Sequence, residues 1–424
     1  MLSEVNAKRT YNFLIFSSFF MYILFIGVKN TFTAEIALIM TVFGINKPTA
    51  SMTTTYYFVT YGITQILLFF FLSKFNIKKF LIATLSVAAC LMFSVGLCTG
   101  IVQIYVIYAI SGFFQAGLWA GIIAVLSLYL PKSKLASANK ALAVGYPVAG
   151  GISYGFSAIF NSFGNWNLPF IVLGTLAFLS VWMFYLATTR AEKIAHIDKI
   201  EVEEKKEEKT SQDEYKIFNI DTKVKRFSFY IIMLILSFLS ASLYFAVIGW
   251  IPSLMKDIYS MNEATAALIT MVVPLSVMFG AIIVIDLCEK YKNTMLVAMV
   301  AFAISIVFAV FLVFFYGFNM IVSLVVIIIM LNLVHGARNI FSSITTFKMR
   351  KQLNSGGFAA LVNSTASIGA GVAPTIIGAV IDSAGWQVSY ITVLALDVVI
   401  VSILIVLSFM VNANLKKQKL QEQN

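Results

Sequence analysis

Two cations occupy stretches of sequence that are otherwise apolar: Lys29, in FIGVKNTF, and Arg338, in LVHGARNIF. If these stretches cross a membrane, an ammonium or guanidinium near the bilayer centre costs at least about 2.5 kcal/mol, so something must compensate for each. One compensation is a wetted chamber in which both cations draw in the negative group of an anionic solute. The guanidinium's rigid fork suits a carboxylate or phosphate and stays charged at any physiological pH. The other is structural pairing, with Glu35 for Lys29 and with Asp286 or Asp397 for Arg338, or snorkelling of Lys29 to the surface. Arg338 ends a run of polar residues at helical steps, Asn332, His335 and Arg338, continued by Asn339, Ser342 and Thr345. Residues three and four apart share one helix face, so this stripe implies water or a partner. His335 reads as a neutral hydrogen-bonding imidazole or a proton relay. Glu35, Asp286 and Asp397 are the coupling candidates, with Glu35 preferred for a proton, Asp286 close to a loop, and Asp397 favoured as a structural partner.

The elements that must position these groups are membrane spans. The chain has 60% hydrophobic and 12% charged residues, against about 25% charged in soluble domains. Apolar runs long enough to cross a ~30 Å hydrocarbon core recur from Tyr11 to Met410, and we count about twelve. They lack the alternation of barrel strands, so the fold is all-helical. The expected helices cover 11–42, 49–72, 80–98, 102–130, 138–161, 167–188, 226–256, 262–288, 294–316, 319–347, 356–380 and 388–411. The opening residues carry no cleavable leader pattern, so the first run is kept as a span.

The formal charge of +11 follows membrane orientation and does not indicate nucleic acid. Lys8, Arg9, Lys74, Lys78, Lys79, Lys132, Lys134, Lys140, Lys290, Lys292, Lys348, Arg350, Lys351, Lys416, Lys417 and Lys419 fall in alternate loops or the termini. The opposite loops hold Lys47 and Lys256. This positive-inside pattern predicts cytoplasmic termini and a multi-pass protein of the cell membrane, taken as a monomer. Cys90, Cys98 and Cys288 have no metal-ligand spacing and read as packing residues. No nucleophile elbow, paired catalytic carboxylates, metal cluster or ATP-binding loop appears, so neither an enzyme nor a cofactor is expected.

The first half of the chain is repeated in the second. Ile45–Ala50 corresponds to Met261–Ala266, Ser73-Lys74-Phe75 to Glu289-Lys290-Tyr291, Gly151 to Gly371, and Asn165–Phe170 to Gly385–Tyr390. The expected division is an amino-terminal six-helix bundle at 1–188, a Lys/Glu-rich cytoplasmic linker at 189–225, a second bundle at 226–412 and a tail at 413–424. Repeats of this kind place a solute site between the halves, near the midplane. The alignment sets Gln115 opposite His335, so Gln115 and Trp119 would face that site, and Tyr22, Tyr244 and Trp250 could supply aromatic walls. Gly145, Ala149, Gly150 and Gly151, with Ala366, Gly369, Gly371 and Gly378, allow close, sliding helix contacts; Pro147 and Pro374 soften the same helices.

Six plus six helices, a charged middle loop, basic short loops after the second and eighth helices, and Trp166 and Trp386 opening the sixth and twelfth resemble the major facilitator superfamily over essentially the whole chain. Tyr22 through Lys29-Asn30, Gly112–Ala116 and Trp250–Lys256 look like its organophosphate:phosphate antiporter branch. The resemblance implies that the first, fourth, seventh and tenth helices line the pathway and that the twelfth is peripheral. The branch's two arginines are replaced by Val28 and about Tyr244, and Ser73 stands where an aspartate is usual. The expected function is secondary active transport of a small organic anion, an organic acid or phosphate ester, by alternating access, coupled to a proton or counter-anion. The alternatives are proton-coupled carriage of a neutral sugar or drug-like compound, with the cations locked in internal pairs, and a transporter-shaped ligand sensor.

Overall fold

The computed structural model describes residues 2–71, 75–198, 218, 222–345 and 355–422. The expected loop motif at Ser73-Lys74, most of the middle linker, and Lys348, Arg350 and Lys351 lie outside those residues. Among the described residues, twelve helical spans form two bundles. The first holds α1 (Leu2–Phe43), α2 (Lys47–Phe71), α3 (Ile77–Val95), α4 in two pieces (Ile101–Gln115 and Leu118–Tyr129), α5 (Lys132–Asn161) and α6 (Leu168–Asp198). The second holds α7 (Lys223–Ile248 and Ile251–Tyr259), α8 (Glu263–Thr270 and Val272–Lys290), α9 (Thr294–Phe315), α10 (Met320–Asn339, prolonged by a π turn at Ile340–Ile344), α11 (355–384) and α12 (386–422).

Several expected boundaries shift. Helix α6 runs to Asp198, ten residues into the segment assigned to the linker, and α12 continues through the expected tail to Glu422. Spans four, seven and eight are interrupted at Ala116–Gly117, Gly249–Trp250 and Met271. Gly385, at φ 85°, separates α11 from α12 without an intervening loop.

Side chains in the loops start the helices. Asn46, Asn76, Thr222, Asn262, Asn293 and Asn319 each accept from a backbone N–H in the first turn that follows, the ordinary means of satisfying orphaned helix donors. These caps carry the repeat into the backbone. Asn46 and Asn262 open α2 and α8, each just after a left-handed residue, Gly44 at φ 62° and Ser260 at φ 53°.

Composition also tells which helices meet lipid. Nine of the described segments are long and apolar enough to cross a membrane, one of which spans both α11 and α12. Helices α2 and α5, richer in Thr, Tyr, Ser and Gly, complete the twelve, and both face the opposite bundle. Helix α2 packs along α11: Thr55 Oγ1 donates to the Gly371 carbonyl at 2.7 Å, and a Cβ on Gly371 would lie 2.8 Å from that of Phe58. Helix α5 meets α8, where a Cβ on Gly150 would lie 2.5 Å from that of Pro274.

Within the first bundle, Gly112 of α4 rests against the Tyr57 backbone and Thr60 of α2, and Thr60 Oγ1 donates to the Ala109 carbonyl at 2.8 Å. A side chain at 112 meets backbone, which cannot rotate away. Gly112→Val is expected to cost about 1–3 kcal/mol as an overpacking substitution. A lowered thermal unfolding midpoint of the purified protein would show it, whereas an unchanged midpoint would contradict this packing.

Candidate functional site

The bundles enclose a cavity of about 50 Å³, room for a few waters. Lys29, Asn30 and Thr33 of α1, Tyr57 and Phe58 of α2, Tyr146, Gly150 and Tyr154 of α5, Tyr244 and Phe245 of α7 and Pro274 of α8 line it. Every one of those helices is interfacial, so the cavity belongs to both halves.

Lys29 is 7% exposed. Its Nζ lies 4.9 Å from the ring centre of Phe58, 5.8 Å from Tyr57 and 5.7 Å from Tyr146, distances at which ring faces attract a cation by about 1–2 kcal/mol when water is excluded. Arg338 of α10 is not among the lining residues but packs on two that are, its guanidinium carbon 5.3 Å from the Tyr244 ring and 5.8 Å from Phe245. Phe58 and Phe245 meet edge to face at 5.3 Å, joining the two aromatic sets across the bundle interface. His335 stacks between Tyr146, at 6.4 Å, and Tyr244, at 5.4 Å. The positive charges of Lys29 and Arg338 repel one another across this space. Among the described residues neither cation has a carboxylate within ion-pairing distance. The hydroxyl of Tyr244 and Nδ1 of His335 are buried without hydrogen-bond partners.

The arrangement separates the expected site residues into three groups. Lys29 and Tyr244 line the cavity, and Arg338 and His335 pack behind its Tyr146, Tyr244 and Phe245 wall without lining it. Gln115 and Asn332 do not face the cavity. Gln115 is fully buried, accepting from Tyr57 Oη at 3.1 Å and donating to Ser111 Oγ at 2.8 Å, so it positions Tyr57 from behind. Asn332 accepts from the Gly280 amide at 2.9 Å and donates to Ser276 and to Ile328, clamping α10 to α8. A buried amide with such partners on a neighbouring helix is committed to packing. Tyr22 is buried against Gly145 and Trp119, with ring centres 5.3 Å apart in the latter pair, and Trp119 is partly exposed; neither lines the cavity. Trp250 also stands apart, its indole N–H donating to the Pro374 carbonyl at 2.9 Å.

The acids are dispersed. Asp286 is exposed on α8, away from the cavity. Asp397 is buried on α12 and accepts from Ser305 of α9, the structural role its place suggested, but with Ser305 as partner and not Arg338. Glu35 is fully buried and turned toward α5, not toward Lys29.

Residues missing from the sequence reading are the aromatic ones: Tyr57, Phe58, Tyr146, Tyr154 and Phe245. Their signal was present in TTTYYFVTYG of α2, a span too rich in Thr and Tyr to be facing lipid alone. Two further lysines gain a role. Lys47, on the face opposite the chain termini, lies 3.1 Å from Asp257 of α7 and 3.2 Å from Asp382 of α11. Lys256 of α7 donates to Thr41 of α1 and Glu263 of α8, both at 2.7 Å. The halves are therefore latched on that face.

Three kinds of comparison bear on this architecture. No curated protein matches the chain by sequence. A bacterial homologue of the human lysosomal transporter Spinster, solved inward-facing and unoccupied, is similar with a TM-score of 0.72 at 12% identity, over 96% of this chain and 98% of that one. The nucleoside transporter NupG is similar with a TM-score of 0.67 at 14% identity, over 94% and 98% respectively. The family model of the Major Facilitator Superfamily matches residues 14–352. With twelve helices in two repeated bundles and an interfacial cavity, the chain belongs to the Major Facilitator Superfamily and is a multi-pass membrane transporter.

Proposed function

We propose that this transporter carries a small organic anion, held between Lys29 and Arg338. The observation that carries the reading is that Lys29 lines the cavity, Arg338 packs on its Tyr244 and Phe245 wall, and neither has a carboxylate partner among the described residues. A buried unpaired charge such as Lys29 is costly, and a half-buried like charge nearby adds to that cost; an incoming anion relieves both. Carriage of a neutral solute fits less well, because it needs the cations locked in internal pairs with Glu35, Asp286 or Asp397. A planar organic acid suits the aromatic walls, while the phosphate clamp of two arginines has no counterpart at Val28 and Tyr244.

In this reading, the face carrying the termini, where lysines and arginines gather, lies on the cytoplasmic side of a cell membrane, in keeping with the positive-inside tendency. The latched face is then the outer one. A solute larger than a few waters requires the halves to part. Alternating access would accordingly break the contacts of Lys47 and Lys256 and slide α2 on α11 and α5 on α8 at Gly371 and Gly150.

Two outcomes are expected. Lys29→Ala and Arg338→Ala should each weaken binding of a transported organic acid roughly 10–100-fold, the loss of one charge-assisted contact. Equilibrium binding to purified protein measures this, and full affinity in both variants would refute the site. Lys47→Ala should open the outer face more often. In a background with Cys90, Cys98 and Cys288 replaced by Ser, a cysteine placed at Thr33 should then react several-fold faster with a membrane-impermeant thiol reagent, and an unchanged rate would remove Lys47 from the latch.

A further inference from the structure

The two bundles line the cavity unequally. The first supplies Lys29, Asn30 and Thr33 from α1 and Ser51 and Thr54 from α2, besides its tyrosine rings. The second supplies Phe245 and Ile248 of α7, Pro274 of α8 and Ala370 and Pro374 of α11. Among the described residues, Tyr244 is the one polar side chain that it adds to the lining. One wall therefore offers a cation and hydrogen-bonding groups, and the facing wall offers hydrocarbon.

Within the polar wall, two side chains stand apart by what they leave unbonded. Hydroxyls in these helices ordinarily donate to a carbonyl of the preceding turn: Thr31 to Gly27 at 3.1 Å, Thr41 to Ala37 at 3.0 Å, Ser51 to Lys47 at 3.0 Å and Thr54 to Ser51 at 2.8 Å. Such back-bonding engages the hydroxyl's single proton. Thr33 makes no bond of this kind, and neither its hydroxyl nor the amide of Asn30 has a partner among the described residues. Both side chains are half-buried and line the cavity. Residues three and four apart share a helix face, so Lys29, Asn30 and Thr33 form one polar edge along α1, about 6 Å long.

We propose that this edge selects a hydroxylated organic acid, a solute class that presupposes the anion reading. Its carboxylate meets Lys29, its hydroxyl bonds Asn30 and Thr33, and its hydrocarbon side lies against Phe245, Ile248, Ala370 and Pro374. A threonine hydroxyl and an asparagine amide each donate and accept, so either can answer a solute hydroxyl in both senses. An acid without that hydroxyl would displace water from Asn30 and Thr33 and leave them unpaired, the usual basis on which a site rejects such an analogue. Three unlike contacts also meet three unlike substituents, so a carbon bearing carboxylate, hydroxyl and hydrocarbon is bound in one hand in preference to the other.

Equilibrium binding to the purified protein would be measured for phenylacetate and each enantiomer of mandelate, which differs from it by one hydroxyl. Butyrate and each enantiomer of hydroxybutyrate, with the hydroxyl on the third carbon, form a second set. In at least one set, one enantiomer of the hydroxylated acid is expected to bind roughly tenfold tighter than its parent. Thr33→Val, which keeps the shape of the side chain and removes its hydroxyl, and Asn30→Leu should each reduce that preference severalfold and leave the parent acid bound as before. Thr33→Ser should keep the preference. Lys29→Ala should weaken hydroxylated and parent acids alike. Equal binding of parent and hydroxylated acids by the unaltered protein would overturn the proposal without requiring any variant to fold, as would a preference that survives both Thr33→Val and Asn30→Leu. If the acids bind, depend on Lys29 and are not told apart, the anion reading stands and the selection of a hydroxyl falls. If no acid binds, or Lys29→Ala changes nothing, the anion reading itself fails and this selection fails with it.

Discussion

The central constraint is that charge cannot be left uncompensated where a membrane bundle excludes water. Most of this chain obeys it by exclusion, placing lysine and arginine in loops and hydrocarbon on the surface. Lys29 and Arg338 depart from it, and the cavity is arranged around that departure. Ring faces of Phe58, Tyr57 and Tyr146 soften the ammonium's isolation, and those of Tyr244 and Phe245 soften the guanidinium's. Cation–π attraction of about 1–2 kcal/mol per site does not cancel the cost of a buried ammonium beside a half-buried guanidinium. The remainder is what an anionic solute can relieve, which makes binding and the stability of the closed bundle parts of one balance.

The helices whose rings surround the charges also meet the opposite bundle. Helix α2 brings Phe58 to the cavity and Thr55 to α11; α5 brings Tyr146 to the cavity and Gly150 to α8. In the proposed cycle, relief of charge at the centre would be transmitted to the surfaces where the bundles touch. At the edge, Lys47 between Asp257 and Asp382 is half-buried, so its ion pairs contribute modestly and can be broken at modest cost. A latch of that strength suits a protein that must open repeatedly.

Much of this was legible in the sequence. Apolar length gave the spans, basic residues gave their common face, and paired motifs gave the repeat, because each depends on local composition alone. Lys29 and Arg338 stood out because a charge within an apolar run has few explanations. Gln115, Asn332 and Asp397 were misjudged or only half-read for a common reason. A polar residue inside a span advertises that it has a partner but not whether the partner is water, solute or another helix. Gln115 is held by Tyr57 and Ser111, Asn332 by Gly280 and Ser276, and Asp397 by Ser305. Rotation of each helix about its axis, fixed only by packing, decides this. Apart from Tyr244, the aromatic enclosure was missed for the converse reason, since Phe and Tyr are abundant on every face of such helices and only the Thr- and Tyr-rich composition of α2 hinted at the face they serve.

The most direct examination of the central claim is diffraction from crystals grown in bromide, with data collected at the bromine absorption edge. An anomalous peak between the Lys29 amine and the Arg338 guanidinium is the result expected of two cations awaiting an anion. A map with no peak there, and with either cation instead paired to a carboxylate, would contradict it.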